Sequence, residues 1–295
     1  MTTLFKTGYA LPTALLIIPF LTMGCDSTPG VDRSQLIINK PSKIEGSPDV
    51  PEYSVWRPFF VTDAGDVSSG TTVGTAFLAQ LPDSDNSYLV TASHLLGPTT
   101  GLTRDISPNE WGTAIKSASV GDAFGATDAV KQLGRPLTPA DAKQNELKWL
   151  DLDIIVFDKG KSLKGNPLQF SNETIQVGQR LWMATALFEG ASPSQKCHEV
   201  KVVDVDSSGS IRYAFENPKV SFRATDGAPL LFDSGAIAGI HLRGQTIESG
   251  PVGSGLDSKA LQSALQELAG QTTTSAKGAV SARGLATSAR FASQL

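Results

Sequence analysis

Apolar residues in this chain come in short runs of four to eight, separated by clusters of Gly, Asp, Ser and Pro. Nine such runs follow one another: Val55 to Val61, Val73 to Ala79, Tyr88 to Thr91, Ile154 to Phe157, Arg180 to Leu187, Val200 to Val205, Ile211 to Phe215, Pro229 to Phe232 and Ala236 to Leu242. Runs of this length are too short for helices and suit strands, and turn residues between them predict an all-β barrel or sandwich. No alternation of strand and helix is present, which disfavours a parallel α/β sheet.

Two stretches interrupt the rhythm. Gly97 to Trp149 holds few strand-like runs, and Thr138 to Lys148 opens with Thr-Pro-Ala-Asp, the signature of a capped helical turn. Ser258 to Leu268 places Leu261, Ala264, Leu265 and Leu268 at spacings of three and four, which predicts an amphipathic helix packed on the domain.

The N-terminus has the layout of an export signal. Lys6 is its only charge, and the apolar run from Tyr9 to Met23 is broken by Pro12 and Pro19 and ends at Gly24-Cys25. The run is shorter than the roughly 20 apolar residues of a spanning helix, so cleavage is expected. Residues 1–24 are accordingly read as a signal peptide. Cys25 after a small residue resembles the lipobox of bacterial lipoproteins, although Thr22 stands where that motif usually has leucine. The resemblance implies a lipidated Cys25 and a membrane-anchored protein of the bacterial cell envelope. An ordinary signal peptide with an incidental cysteine is the alternative. The only other cysteine is Cys197, which leaves no internal disulfide once Cys25 is acylated.

Residues 25–50, rich in Ser, Pro, Asp and Lys, read as a flexible tether in which Leu36-Ile37-Ile38 is a candidate edge strand. Residues 51–269 form the folded unit, and the Ser, Thr and Ala of residues 270–295 read as a disordered tail. A formal charge of −4 without a Lys/Arg stripe gives no reason to expect a nucleic-acid partner. No cofactor-binding pattern is present.

Four segments carry a resemblance. Gly74 to Leu78, followed by Tyr88 to His94, looks like the strand pair leading to the catalytic histidine of trypsin-like serine peptidases. Leu152-Asp153-Ile154-Ile155-Val156-Phe157 is similar to the segment whose aspartate orients that histidine, with Asp151 and Asp158 as rivals. Val177 to Ala184 resembles the strand opening the second barrel. Ala224-Thr225-Asp226-Gly227-Ala228-Pro229 resembles the nucleophile loop Gly-x-Ser-Gly-x-Pro. The resemblance spans about Tyr53 to Leu268. It implies two six-stranded antiparallel β-barrels with a C-terminal helix, and a triad at His94, Asp153 and Asp226.

Two positions depart from the family pattern. Asp226 replaces the nucleophilic serine, and Ala224 replaces a glycine whose N–H, with that of residue 226, forms the oxyanion hole. A carboxylate is already ionised at neutral pH and is a poor nucleophile toward an amide. It either fills the oxyanion hole or pairs with His94 and favours the imidazolium. Ser221 and Ser234 are substitutes to weigh, but Ser234 lies between two apolar runs where the resemblance implies a hairpin turn, and Ser221 precedes the loop by several residues.

His241, Leu242, Arg243 and Gly244 lie where the family lines its specificity pocket, and glutamate-specific bacterial peptidases carry a similar Gly-Ile-His. A pocket for an acidic side chain is therefore implied, against the plainer reading of His241 as a core histidine. His94, Asp153 and Asp226 as metal ligands fit poorly, because the resemblance puts Asp153 behind the imidazole. His198 beside Cys197 has no companion cluster and reads as structural.

The expectation for function is an exported peptidase homologue without peptidase activity that binds a peptide or protein. The alternative is an endopeptidase with a non-standard nucleophile. Mass spectrometry of the mature N-terminus tests the export signal: an acylated Cys25 is expected as first residue, with Cys25→Ser releasing the protein from membranes.

Overall fold

A computed structural model describes residues 44–67, 74–82, 84–124, 130–138, 152–187 and 195–270. Residues 1–24, read above as a signal peptide, Cys25, Leu36 to Ile38, most of the stretch from Thr138 to Lys148, and residues 271–295 lie outside them.

The first sheet contains β1 (Val55–Thr62), β2 (Gly65–Val67), β3 (Ala76–Gln80), β4 (Ser87–Ala92), β5 (Ile115–Asp122), β6 (Lys131–Gln132), β7 (Ile154–Asp158) and β8 (Leu168–Gln169). Its main path runs β6-β5-β1-β3-β4-β7, with β2 on β1 and β8 on β3. The sequence suggested a six-stranded antiparallel barrel. This sheet has eight strands, and β8 joins in parallel. Its two edges are drawn together by the chain leaving β6: Gly134 N–H donates to Asp158, Asp158 N–H to Arg135 and Leu137 N–H to Val156.

The second sheet is a closed six-stranded barrel. It contains β9 (Arg180–Ala184), β10 (Cys197–Val205), β11 (Ser210–Phe215), β12 (Pro229–Leu231), β13 (Ile237–Ile247) and β14 (Gly250–Asp257), in the order β10-β11-β14-β13-β12-β9. Closure removes free edges from this lobe. A helix over 258–270 follows, with Leu261, Ala264, Leu265 and Leu268 buried as their spacing predicts.

Two principal strands are absent from the nine apolar runs. In β5 the apolar residues are sparse: Ile115, Ala118 and Val120 face the core among Lys, Ser and Gly. In β14 the interior positions are glycines, because neighbours occupy the space of a side chain. A Cβ on Gly255 would lie 1.8 Å from the Ile240 carbonyl oxygen, and one on Gly253 would lie 2.4 Å from the Tyr213 ring. Glycine has low strand propensity, so close packing erases the signal by which strands are recognised.

Residues 44–50, read from sequence as the end of a tether, lie against the folded unit. Ile44 and Val50 pack on the core, and Ser47 is buried.

One charged side chain joins the two lobes. Arg57, in the middle of the apolar run of β1, is 7 % exposed. Its Nη1 donates to Thr75 Oγ1 and the Ala224 carbonyl, both at 2.7 Å, and to the Gly74 carbonyl at 3.2 Å. Its Nη2 donates to the Ala186 carbonyl. Burial lowers its pKa to about 10, which still leaves it charged at neutral pH. Replacing Arg57 with Met removes these donors and strands several buried acceptors. A loss of at least about 3 kcal/mol in chemical denaturation is expected.

Candidate functional site

Strand register brings the first two site residues together. β4 and β7 are antiparallel with Ala92 opposite Ile154, so the residues just beyond each end, Ser93-His94 and Asp153, must be neighbours. Ser93 N–H donates to the Asp153 carbonyl at 2.9 Å, and Ser93 Oγ and His94 N–H both donate to Asp153 Oδ1, at 2.8 and 3.0 Å. Asp153 itself has φ 56°, a left-handed conformation that aspartate tolerates better than most residues.

Asp226 arrives from the other lobe on the loop before β12. Thr75 N–H donates to the Asp226 carbonyl at 2.8 Å, and Gly227 N–H donates to the His241 carbonyl at 2.7 Å. Gly227 has φ 90°, and a Cβ there would lie 2.1 Å from the Thr75 carbonyl oxygen and 2.4 Å from Thr91 Oγ1. Only glycine permits this approach of the loop to β3 and β4.

His94 lies between the two carboxylates, with Nδ1 2.7 Å from Asp153 Oδ2 and Nε2 3.0 Å from Asp226 Oδ2. Ionised carboxylates only accept hydrogen bonds, so both ring nitrogens must carry hydrogen and the ring is an imidazolium. Burial alone pulls its pKa down. The hydrogen bonds to Asp153 and Asp226, reinforced by their charges, outweigh burial and carry it up to about 9. Burial pushes both carboxyls up, but each ends below the usual 3.8. His94, Ser93 and Arg243 hold Asp153 there; His241 and His94 hold Asp226. The two carboxylates sit on opposite edges of one ring and do not converge with it on a single point.

Of the two roles open to Asp226, the structure selects pairing with His94. Ala224, half of the oxyanion hole implied by the sequence, has φ 62°. Alanine in that conformation costs about 1–2 kcal/mol that glycine does not. Its carbonyl is turned inward, where Thr75 Oγ1 donates to it at 2.7 Å beside Arg57. Thr185 Oγ1 lies 2.7 Å from Thr75 Oγ1 and completes the set by donating to it. Among the described residues, the N–H groups of Ala224 and Asp226 have no hydrogen-bond acceptor.

His241 is fully buried. Tyr213 O–H bonds Nδ1, and Nε2 lies 3.1 Å from Thr225 Oγ1 and 3.5 Å from Asp226 Oδ1. Thr225 gives its own hydrogen to the Phe222 carbonyl at 2.9 Å, so it accepts from His241 Nε2–H. Phe222, half-buried, stacks on the imidazole with ring centroids 6.4 Å apart. It also covers Gly244, where a Cβ would lie 1.9 Å from the phenyl ring. Leu242 is buried. Arg243 reaches outward and donates to Asp153 Oδ2 at 3.2 Å. Of the four residues expected to line one pocket, the structure therefore puts two in the core, one beneath Phe222 and one at the surface.

Ser234 is exposed in the turn between β12 and β13, and Ser221 accepts from Arg223 N–H at 3.4 Å; neither hydroxyl bonds to His94. His198 is buried with Nε2 2.8 Å from the Thr185 carbonyl, and burial lowers its pKa to about 4. Sequence reasoning missed Arg57, Thr75, Thr185, Tyr213 and Phe222 as site residues. A lone arginine inside an apolar strand run was the one available signal.

No protein-family model and no curated protein matches the chain. Among solved structures it is similar to a serine endoprotease from Yersinia pestis at 12% identity and TM-score 0.48. That match covers 74% of this chain and 63%, less than two thirds, of the Yersinia chain. It is also similar to a protease from M. tuberculosis in its active form, at 13% identity and TM-score 0.46, covering 78% and 90% of the two chains. A third likeness is to the serine protease of human pathogenic astrovirus, at 13% identity and TM-score 0.43, covering 72% and 94%.

The raised pKa of His94 sets a pH window. With an ordinary value of 6.5 and a folded value of about 9, its contribution to stability is complete below about 6.5 and lost as pH rises through about 9. The lowered carboxyls give the acid side: their contribution is present above about 3.8 and lost as pH falls through their depressed values. Both describe the same contacts and are not additive. NMR titration should find His94 charged well past neutrality, and Asp226→Asn should lower its pKa and bring the alkaline loss of stability to lower pH.

Proposed function

We propose that this chain is an exported homologue of trypsin-like serine peptidases that has lost peptidase activity and binds a peptide or protein at the bacterial cell envelope. The observation carrying this reading is the 3.0 Å contact between His94 Nε2 and Asp226 Oδ2, which replaces a histidine–hydroxyl pair with an ion pair. Peptidase chemistry needs a neutral imidazole to accept a proton and a hydroxyl to attack. Here the imidazole already holds both protons, and the facing group is an acceptor with none to give.

The remaining frame supports binding over a purely structural role. His94 and Asp226 are still partly open to solvent, with side-chain exposures of 23% and 29%. The N–H groups of Ala224 and Asp226 have no acceptor among the described residues, which leaves them as candidate donors for a ligand carbonyl. Anchoring at the envelope through Cys25 belongs to the same proposal and is supported by the layout of the first 25 residues.

The wild-type protein should neither react with a fluorophosphonate probe nor cleave casein. Asp226→Ser restores the hydroxyl, and the double variant with Ala224→Gly also relieves the left-handed alanine. Labelling of the double variant at residue 226, with none in wild type, is the expected result. Labelling or cleavage by wild type that is lost on mutating Ser221 or Ser234 would overturn the proposal.

A further inference from the structure

The outer wall of the closed barrel carries a feature that the triad positions do not account for. Arg243 on β13 and Arg212 on β11 both stand opposite Ser254 on β14. Directly opposed residues on neighbouring strands share a face, so Arg212, Ser254 and Arg243 form one transverse row. The next residue along β11, Tyr213, is fully buried, which puts this row on the outside. With strands about 4.8 Å apart, the two arginine stems rise about 10 Å from each other over a small serine.

The adjoining row on the same face is Ala214, Val252 and Gln245, again with small or aliphatic residues in the middle. A trough of about 480 Å³ lies over these rows. Val203 and Ile247, also lining it, are 50% and 46% exposed and give it an aliphatic surface. The volume falls within the range of small-ligand and peptide sites.

Both arginines are well exposed and only lightly engaged. Arg212 is 67% exposed and contacts Asp204 through Nε and Nη2; Arg243 is 71% exposed and contacts Asp153 through one nitrogen. Each guanidinium has five N–H donors, so both retain donors beyond those contacts, and both residues line the trough. Two cations flanking an aliphatic floor, on a chain of formal charge −4, complement carboxylates carried on an extended apolar backbone.

We infer that this trough binds an acidic segment of a peptide, with alternate carboxylates on Arg212 and Arg243 and the methylene stems of those acidic side chains over Val203, Val252 and Ile247. The inference rests on the binding-module reading above and gives it a ligand class. It also couples the trough to the triad positions. Asp153 Oδ2 accepts from both Arg243 and His94, so a ligand carboxylate drawing Arg243 away leaves that oxygen to His94 alone.

The test is fluorescence anisotropy on the full chain with labelled Gly-Val-Glu-Val-Glu-Val-Gly and its glutamine counterpart Gly-Val-Gln-Val-Gln-Val-Gly. The glutamate peptide should bind at least about ten-fold more tightly at low salt, and Arg212→Gln and Arg243→Gln should each remove most of that preference. Saturation should shift the His94 ring resonances in wild type and leave them unmoved in Arg243→Gln. Unfolding curves matching wild type would show that both variants fold.

Equal binding of the two peptides, or no effect of Arg212→Gln, overturns the assignment. So does displacement of the peptide by inorganic phosphate at equal concentration, which would mark a simple anion site. None of these results involves peptidase activity, so the loss-of-activity proposal stands or falls separately on the fluorophosphonate experiment.

Discussion

A buried guanidinium holds the two lobes in register with each other. Arg57 rises from the first sheet into a space where backbone carbonyls of both lobes converge, and with Thr75 it fixes the Ala224 carbonyl. The hydrogens run one way: Arg57 and Thr185 donate to Thr75 Oγ1, and Thr75 donates to Ala224. In a low-dielectric interior such a set is strong only when every member is satisfied, which makes it specific for one placement of the loop. Asp226, two residues along, is carried to His94 by that placement.

At the site, the same charges that would cripple a peptidase stabilise the fold. His94 belongs to the first lobe and Asp226 to the second, so their ion pair is also a contact between lobes. With alanine at position 226, His94 would keep Asp153 as its one carboxylate partner and its pKa would be raised less. With aspartate at this position the imidazole is a cation with two partners, and His241 has an acceptor within 3.5 Å of its buried Nε2. Asp226 thus sets the state of the whole cluster.

Much of this was legible in the chain itself. His94, Asp153 and the loop around Asp226 stand in short local patterns, and local patterns survive where long-range similarity does not. Nine strands and the C-terminal helix were visible as runs and spacings. The strand β14 was not, because Gly253 and Gly255 make room for Tyr213 and the Ile240 backbone, and a glycine chosen for its missing side chain carries no hydrophobic signal. The strand β5 was hidden by its Lys, Ser and Gly. His241, Leu242, Arg243 and Gly244 were recognised as a segment but not as four different environments, since alternation, a bulge and Phe222 separate them.

The sequence by itself determined that the chain is all-β with a C-terminal helix, and it singled out His94, Asp153 and Asp226 as candidate site residues by resemblance. The fold class follows from the length of the apolar runs and from spacings of three and four, and the candidate site from short motifs. Only the tertiary structure decided which partner Asp226 takes, what holds the Ala224 carbonyl, and that Arg212 and Arg243 flank one serine. Each is a meeting of segments distant in sequence, set by strand register and by the packing of one lobe on the other, and neither quantity is written in any local stretch of chain.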